Sequence, residues 1–352
     1  MISQLTFTRF IAAFLIVFLH YGENLLTNTS ESFFILRNQF HLGVSYFFVL
    51  SGFVMMIAYS KLEKIGFKDY MINRVSRIYP THILALVLTV LFSLLSSINY
   101  LSDYSFDLKC FSLVFLLLQA WFSEYALSFN IPSWSLSAEM FFYACFPFMF
   151  NRLFKKQSPK IIIITCISFW AISQIGLNIY HSSDYFDPKN VLDKNFLCYK
   201  PIFNLSSFVI GCLFGYLFKL KNRVSKNYDL AIVLLIVLTT VFVIKFNYLL
   251  LQNGLLAINF GLLIFLLANN NGKITSIFKH KKLVHLGDIS FAMYILQYPV
   301  FMALKKVNYT LKLIDNPYIY FTAGFLILLI ASHFVYVYFE DPMRKKIKNI
   351  FV

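Results

Sequence analysis

The stretch TFTRFIAAFLIVFLHYGENL, residues 6–25, decides how the rest of the chain is read. It is apolar over about the 17 to 25 residues that a hydrocarbon core requires, and a basic residue leads it. No small-x-small cleavage pattern follows, so it reads as a retained first membrane helix and not as a removable leader. Its apolar run is bracketed by Arg9 and His20. At about 100° per residue their spacing returns them to nearly the same helix face, separated by roughly 16 Å along the axis.

Composition extends this reading to the whole chain. Of the 352 residues 59% are hydrophobic and 13% charged, against roughly a quarter charged in an ordinary soluble domain. With 42 phenylalanines and a mean hydropathy of +0.68, the apolar surface exceeds what the polar residues can cover, so lipid has to cover it. The formal net charge of +15 is spread between hydrophobic blocks and not gathered in one arm or stripe, which argues against a nucleic-acid partner. Cys110, Cys145, Cys166, Cys198 and Cys212 lack CxxC spacing and sit in or beside apolar segments, so neither a disulfide framework nor a metal site follows.

Apolar length predicts an all-α integral membrane protein of about ten transmembrane helices, near 6–25, 39–60, 77–98, 134–152, 160–180, 200–219, 229–247, 250–269, 283–304 and 318–339. The run CFSLVFLLLQAWF at 110–122 is short for a span and reads as a re-entrant or interfacial segment. With that choice, the loops at 61–77, 151–160, 219–226 and 273–282 and the C-terminal tail share one side. They hold roughly two thirds of the 31 Lys and Arg, which marks that side as cytoplasmic and puts both termini there. The expectation is one membrane domain over 1–352 with no soluble appendage, in a bacterial cytoplasmic (inner) membrane. HSSDYFDPKNVLDKNFLC at 181–198 is then the longest external loop. No internal repeat of the kind seen in many secondary transporters is visible.

Charged groups are expensive in the bilayer, so each one inside a span is a functional candidate. His20 suits a general base, because an imidazole titrates near neutrality; the alternative is a neutral ring satisfied by a neighbouring helix. Arg74 and Arg77 in NRVSRIYP lie three apart at the start of the third helix, and their planar forks suit phosphate, although a positive-inside anchor would look the same. Glu139, after IPSWSLSA, is expected about one turn inside the outer end of its helix, at the depth of His20. There it could orient the imidazole or bind an acceptor hydroxyl. Ser51 and Gly52 in FFVLSGFVM form a small pair that permits close helix approach; no nucleophile elbow surrounds Ser51, which reads as a wall residue. Tyr79, Trp134 and Ser137 are further candidate wall residues. His82 and His333 read as structural, and Asp288 as a charge at a helix N-terminus.

Together these segments resemble one family, the bacterial acyltransferase-3 membrane acyltransferases. The resemblance rests on TFTRFIAAFLIVFLHYG, FFVLSGFVM, RVSRIYP, SWSLSAEMFFY, LGDISFAMYILQYPV and YFEDPMRKK. It implies a ten-helix core with cytoplasmic termini, acyl-CoA as donor, Arg74 and Arg77 in donor binding, and His20 in transfer; acyl-CoA is then a co-substrate with no permanently bound cofactor, and Arg9, near the cytoplasmic headgroups, is a further candidate for holding the acyl-CoA phosphates. Gln297 in YILQYP stands where many members have His and can hydrogen-bond a substrate. The expected activity is transfer of an acyl group, by default acetyl, to a hydroxyl of a surface or lipid-linked polysaccharide, either directly or through an acyl-histidine. The rival expectation is a transporter or flippase for a glycan, lipid or anion that uses the same buried charges.

Overall fold

The computed structural model describes residues 2–25, 30–97, 107–220 and 226–351, and every named element among them is helical. Six helical segments are long and apolar enough to cross a membrane: Ser3–Tyr21, Leu42–Tyr59, Phe67–Leu95, Pro159–His181, Val191–Leu220 and Pro317–Phe351. Each of the ten expected segments contains a helix. Of the remaining four, three helices are shorter than 18 residues, and the fourth, over Lys281–Leu311, is interrupted by Asp288, Gln297 and Pro299 and is not apolar enough to meet that measure.

The bundle is organised around α3 (Leu42–Tyr59) and α9 (Pro201–Leu220). These cross so closely that a Cβ on Gly52 would collide with the Phe208 carbonyl oxygen, and one on Gly211 with that of Val49. Small residues at a crossing let backbones meet in lipid, where burial of apolar surface cannot drive association. About two thirds of the α3 window is buried, against 22% for α7 (Pro159–His181), whose Ile172 and Ile179 point outward. So α3 is interior and α7 peripheral.

Against this pair, α1 (Ser3–Tyr21) lies beside α13 (Lys281–Leu311). Gly287 abuts the Thr6 backbone and the Tyr21 ring stacks on Phe301 at 3.8 Å between centroids, so the two helices run in the same direction. α14 (Pro317–Val335) packs along both, with Gly324 against the Phe301 ring and Phe321 and Phe325 edge-on to Phe18 and Phe14, and a π-turn at Tyr336–Glu340 leads on to α15 (Asp341–Phe351).

Several boundaries differ from the sequence reading. The third long helix, α4 (Phe67–Ser97), begins well before 77, because its first turns, FKDYMIN, are amphipathic and fall below an apolar threshold. Arg74 and Arg77 therefore lie inside a helix and not at its start. The helix expected over 250–269 begins only at Ala257. The residues before it form a buried loop with Gly254 at positive φ, where the Asn253 side chain donates to the carbonyls of Leu197 and Cys198. Asp288 sits in the second turn of α13 and not at its N-terminus, since the basic Lys281 and Lys282 are already helical. The segment 181–198, expected to be a loop, runs into a helix, α8 (Val191–Tyr199). The run at 110–122 is broken: α5 (Leu108–Phe115) ends within it, Leu117 takes positive φ, and a 3-10 turn spans Gln119–Trp121. The expected helix end at 98, and residues 221–225 of the basic loop at 219–226, lie outside the described residues.

Candidate functional site

Four helices, α1, α3, α4 and α6 (Trp134–Met149), together with α13, enclose a cavity of about 400 Å³. Arg9 enters from α1, Ser51 and Met55 from α3, Arg74 and Arg77 from α4, Glu139 and Tyr143 from α6, and Tyr294 from α13. The helical spacings account for this convergence. Residues three or four apart share a face, which pairs Arg74 with Arg77, Ser51 with Met55 and Glu139 with Tyr143.

Arg74 is held by an aromatic cage. Its guanidinium carbon is 5.7 Å from the Tyr70 ring centroid and 5.8 Å from those of Tyr59 and Tyr143. It donates to the Met55 sulfur at 3.3 Å and the Tyr59 hydroxyl at 3.4 Å, and its Nε has no partner among the described residues. Cation–π contacts of this kind contribute about 2 kcal/mol when desolvated. They fix the group without neutralising it.

Among the described residues the salt bridges are those of Asp341 with Arg344 and Lys345, so none of Arg9, Arg74 and Arg77 is closed by a carboxylate. Arg9 feels Arg77 as a like charge and Glu139 and Glu340 as opposite ones. Glu340 is buried and accepts from the Thr81 hydroxyl at 3.2 Å. Three guanidinium groups with incomplete compensation in an enclosed space form a receptor for an anion with several oxygens.

Glu139 carries the second feature. Its Oε1 accepts from the Ser51 hydroxyl at 2.9 Å and from the Tyr143 hydroxyl by a short bond, and Ser51 and Tyr143 are 3.1 Å apart. Oε2 has no hydrogen bond among the described residues.

His20 is not part of this cavity. It lies on the last turn of α1, exposed. Beside it Arg37, which is buried, donates to the Leu19 carbonyl at 2.6 Å and to the Asn38 side chain at 3.1 Å. The His41 ring hydrogen-bonds the Asn38 backbone oxygen at 2.8 Å, and burial pushes its imidazole down to about 4, so the ring is neutral at physiological pH.

The structure thus brings Arg9, Arg74, Arg77, Glu139 and Ser51 together, and does not bring Glu139 to His20 at a shared depth. The cause lies before α6. Asn130 and Ser133 are buried, so the chain has already entered the core through the 3-10 turn Ile131–Ser133 when the helix begins, and Glu139 is carried a turn deeper. Of the remaining wall candidates, Tyr79 donates to the Leu116 carbonyl at the break after α5, and Trp134 packs edge-on against Phe48. Ser137 is buried with its hydroxyl unpartnered among the described residues. Gln297 is buried, donates to the Tyr294 carbonyl at 2.8 Å, and leaves its Oε1 unpartnered among them as well. None of these four lines the cavity. His82 bonds the Val114 backbone oxygen, and His333 pairs with His285 at 2.9 Å; neither lines the cavity.

The sequence reading did not single out Tyr59, Tyr70, Tyr143, Arg37 or Glu340. Tyr143 was within reach, since it follows Glu139 at the four-residue spacing that makes helical neighbours. Arg37 and Glu340 carry no such signal, because both stand outside the apolar windows.

Residues 2–337 match the acyltransferase-3 family, described as an acyltransferase domain. Among curated relatives, peptidoglycan O-acetyltransferase OatA of Listeria monocytogenes is 25% identical over 332 residues, covering 86% of this chain and 51% of the relative. O-acetyltransferase OatA of Staphylococcus aureus is 22% identical over 329 residues, covering 87% and 53%. Acyltransferase MdmB of Streptomyces mycarofaciens is 36% identical over 123 residues, covering 33% and 29%. The chain thus spans about half the length of the two O-acetyltransferases it matches. No solved structure matches. The family match over nearly the whole chain, on a bundle with six span-length apolar helices, makes this protein a multi-pass membrane member of the acyltransferase-3 family.

Proposed function

We propose that the protein is a membrane O-acyltransferase, in the first instance an O-acetyltransferase, that moves an acyl group from cytoplasmic acyl-CoA to a hydroxyl of a cell-surface or lipid-linked polysaccharide. The observation that carries this reading is the cavity where Arg9, Arg74 and Arg77 converge without a salt bridge among the described residues. A CoA diphosphate offers the oxygens such a set would bind; the O-acetyltransferase names of two relatives support acetyl as the acyl group, and the peptidoglycan in one of those names supports a glycan acceptor. In this reading the protein has ten spans with both termini in the cytoplasm of a bacterial inner membrane, and the arginine end of α1 faces the acyl-CoA pool.

The acyl donor seats its phosphates on Arg74 and Arg77, with Arg9 deeper. Its pantetheine arm runs along the unbroken α1 past Ser51 and Glu139, whose oxygens accept from the arm's amide N–H groups. The rise from Arg9 to His20 is roughly 16 Å, comparable to the extended arm. At the far end His20 takes the proton of the acceptor hydroxyl as its oxygen attacks the thioester carbonyl. The tetrahedral intermediate then expels the CoA thiolate, which the imidazolium reprotonates.

The test is purified protein in nanodiscs with acetyl-CoA and a lipid-linked glycan fraction. Stoichiometric appearance of free CoA and acetylated glycan is expected. Movement of glycan across the bilayer with no thioester consumed would overturn the reading in favour of a flippase.

A further inference from the structure

We propose that Tyr143 is a positioning residue that ties the phosphate-binding arginine to the carboxylate of Glu139; this rests on the acyl-donor reading above. The two halves of the side chain do different things. The ring faces the Arg74 guanidinium at 5.8 Å, one wall of its cage. The hydroxyl donates to Glu139 Oε1 and lies 3.1 Å from the Ser51 hydroxyl, which itself donates to the same oxygen at 2.9 Å.

Two donors on one carboxylate oxygen leave a single orientation for the group. A free carboxylate rotates about its last bond, whereas here Oε1 is held from two helices and Oε2 is left without a partner among the described residues. Glu139 thereby presents one fixed acceptor in a cavity whose anion-binding group is set by the same tyrosine. The Ser51 side of this clamp sits at the closest helix crossing, because the adjacent Gly52 lies against the α9 backbone at the Phe208 carbonyl. Tyr143 is itself wedged between Tyr70 and Phe208, with ring centroids 6.5 and 6.4 Å away, which fixes the height of its hydroxyl. Seating phosphate on Arg74 and aligning the arm at Glu139 become one geometric event.

The hydroxyl can be removed while the ring is kept. Tyr143→Phe retains the Arg74 cage and is expected to bind CoA within about twofold of wild type, with kcat lowered about tenfold or more through a loosened arm. Tyr143→Leu removes both functions and is expected to weaken CoA binding as well. In a Glu139→Gln background Tyr143→Phe is expected to add little, because its effect passes through that carboxylate. Isothermal titration with CoA, turnover of acetyl-CoA and thermal melting of the full chain in nanodiscs read these three quantities. Full turnover in Tyr143→Phe, or a loss that is fully additive with Glu139→Gln, overturns this inference alone. Failure of wild type to bind CoA overturns the acyl-donor reading and this inference with it.

Discussion

The two ends of α1 are built on opposite principles. At Arg9 the helix is surrounded: α3, α4, α6 and α13 close around it, and the cations there are caged by rings or left facing an enclosed space. At His20 the helix ends in the open, bracketed by the Tyr21–Phe301 stack and by Arg37 tied to a backbone carbonyl. An enclosed group can grip a ligand and exclude competitors, and an exposed one can meet a partner too large to enter. One continuous helix thus joins a site suited to holding with a site suited to encounter.

That contrast breaks if the two ends fail to separate in kinetics. Replacing His20 with Ala is expected to lower kcat by about 10²–10⁴-fold, the usual worth of a general base, while CoA affinity stays within a factor of two. Steady-state turnover beside direct CoA titration measures both. The double variant Arg74→Ala/Arg77→Ala reverses the pattern: KM for acetyl-CoA rises about 100-fold, because two charge-assisted donors to the phosphates are removed, with a smaller change in kcat. If both variants lose affinity equally, the ends are not distinct.

Finer changes sharpen the comparison. Arg74→Lys keeps the charge but loses the planar face shared by three tyrosines, and acetyl-CoA KM should rise about tenfold. A rise of less than twofold would mean that the cage contributes only packing. The smallest expected effect lies at the open end. The His41 ring is neutral when folded and titrates near 6.5 when unfolded, so its contribution to stability is present above that pH and is lost as pH falls toward about 4. Acidification from pH 7 to 5 should lower Tm by on the order of a few degrees, and His41→Asn should blunt that loss.

Much of this was legible in the chain. Arg9, Arg74, Arg77 and Glu139 announce themselves because the bilayer penalises charge, and the Ser51–Gly52 pair signals the close crossing with α9. What stayed hidden is depth. Hydropathy locates the start of an apolar run but not whether the chain before it is already inside, so Glu139 was expected level with His20 when buried Asn130 and Ser133 had carried α6 deeper. For the same reason FKDYMIN concealed two turns of α4. The tyrosine cage was readable only in part: Tyr70 precedes Arg74 by four residues on α4, whereas Tyr59 and Tyr143 come from two other helices and nothing local marks them as neighbours of that cation.

The crossing of α3 and α9 has a consequence for anyone who reshapes this protein. What faces Gly52 and Gly211 is main chain, and main chain cannot be mutated away to make room. Compensation by a second substitution is closed off at both places, so a saturation library sequenced after selection for activity should show two empty columns, at 52 and 211. Diversity aimed at new acyl or glycan preferences then belongs on the walls around them, with this crossing kept as the fixed datum.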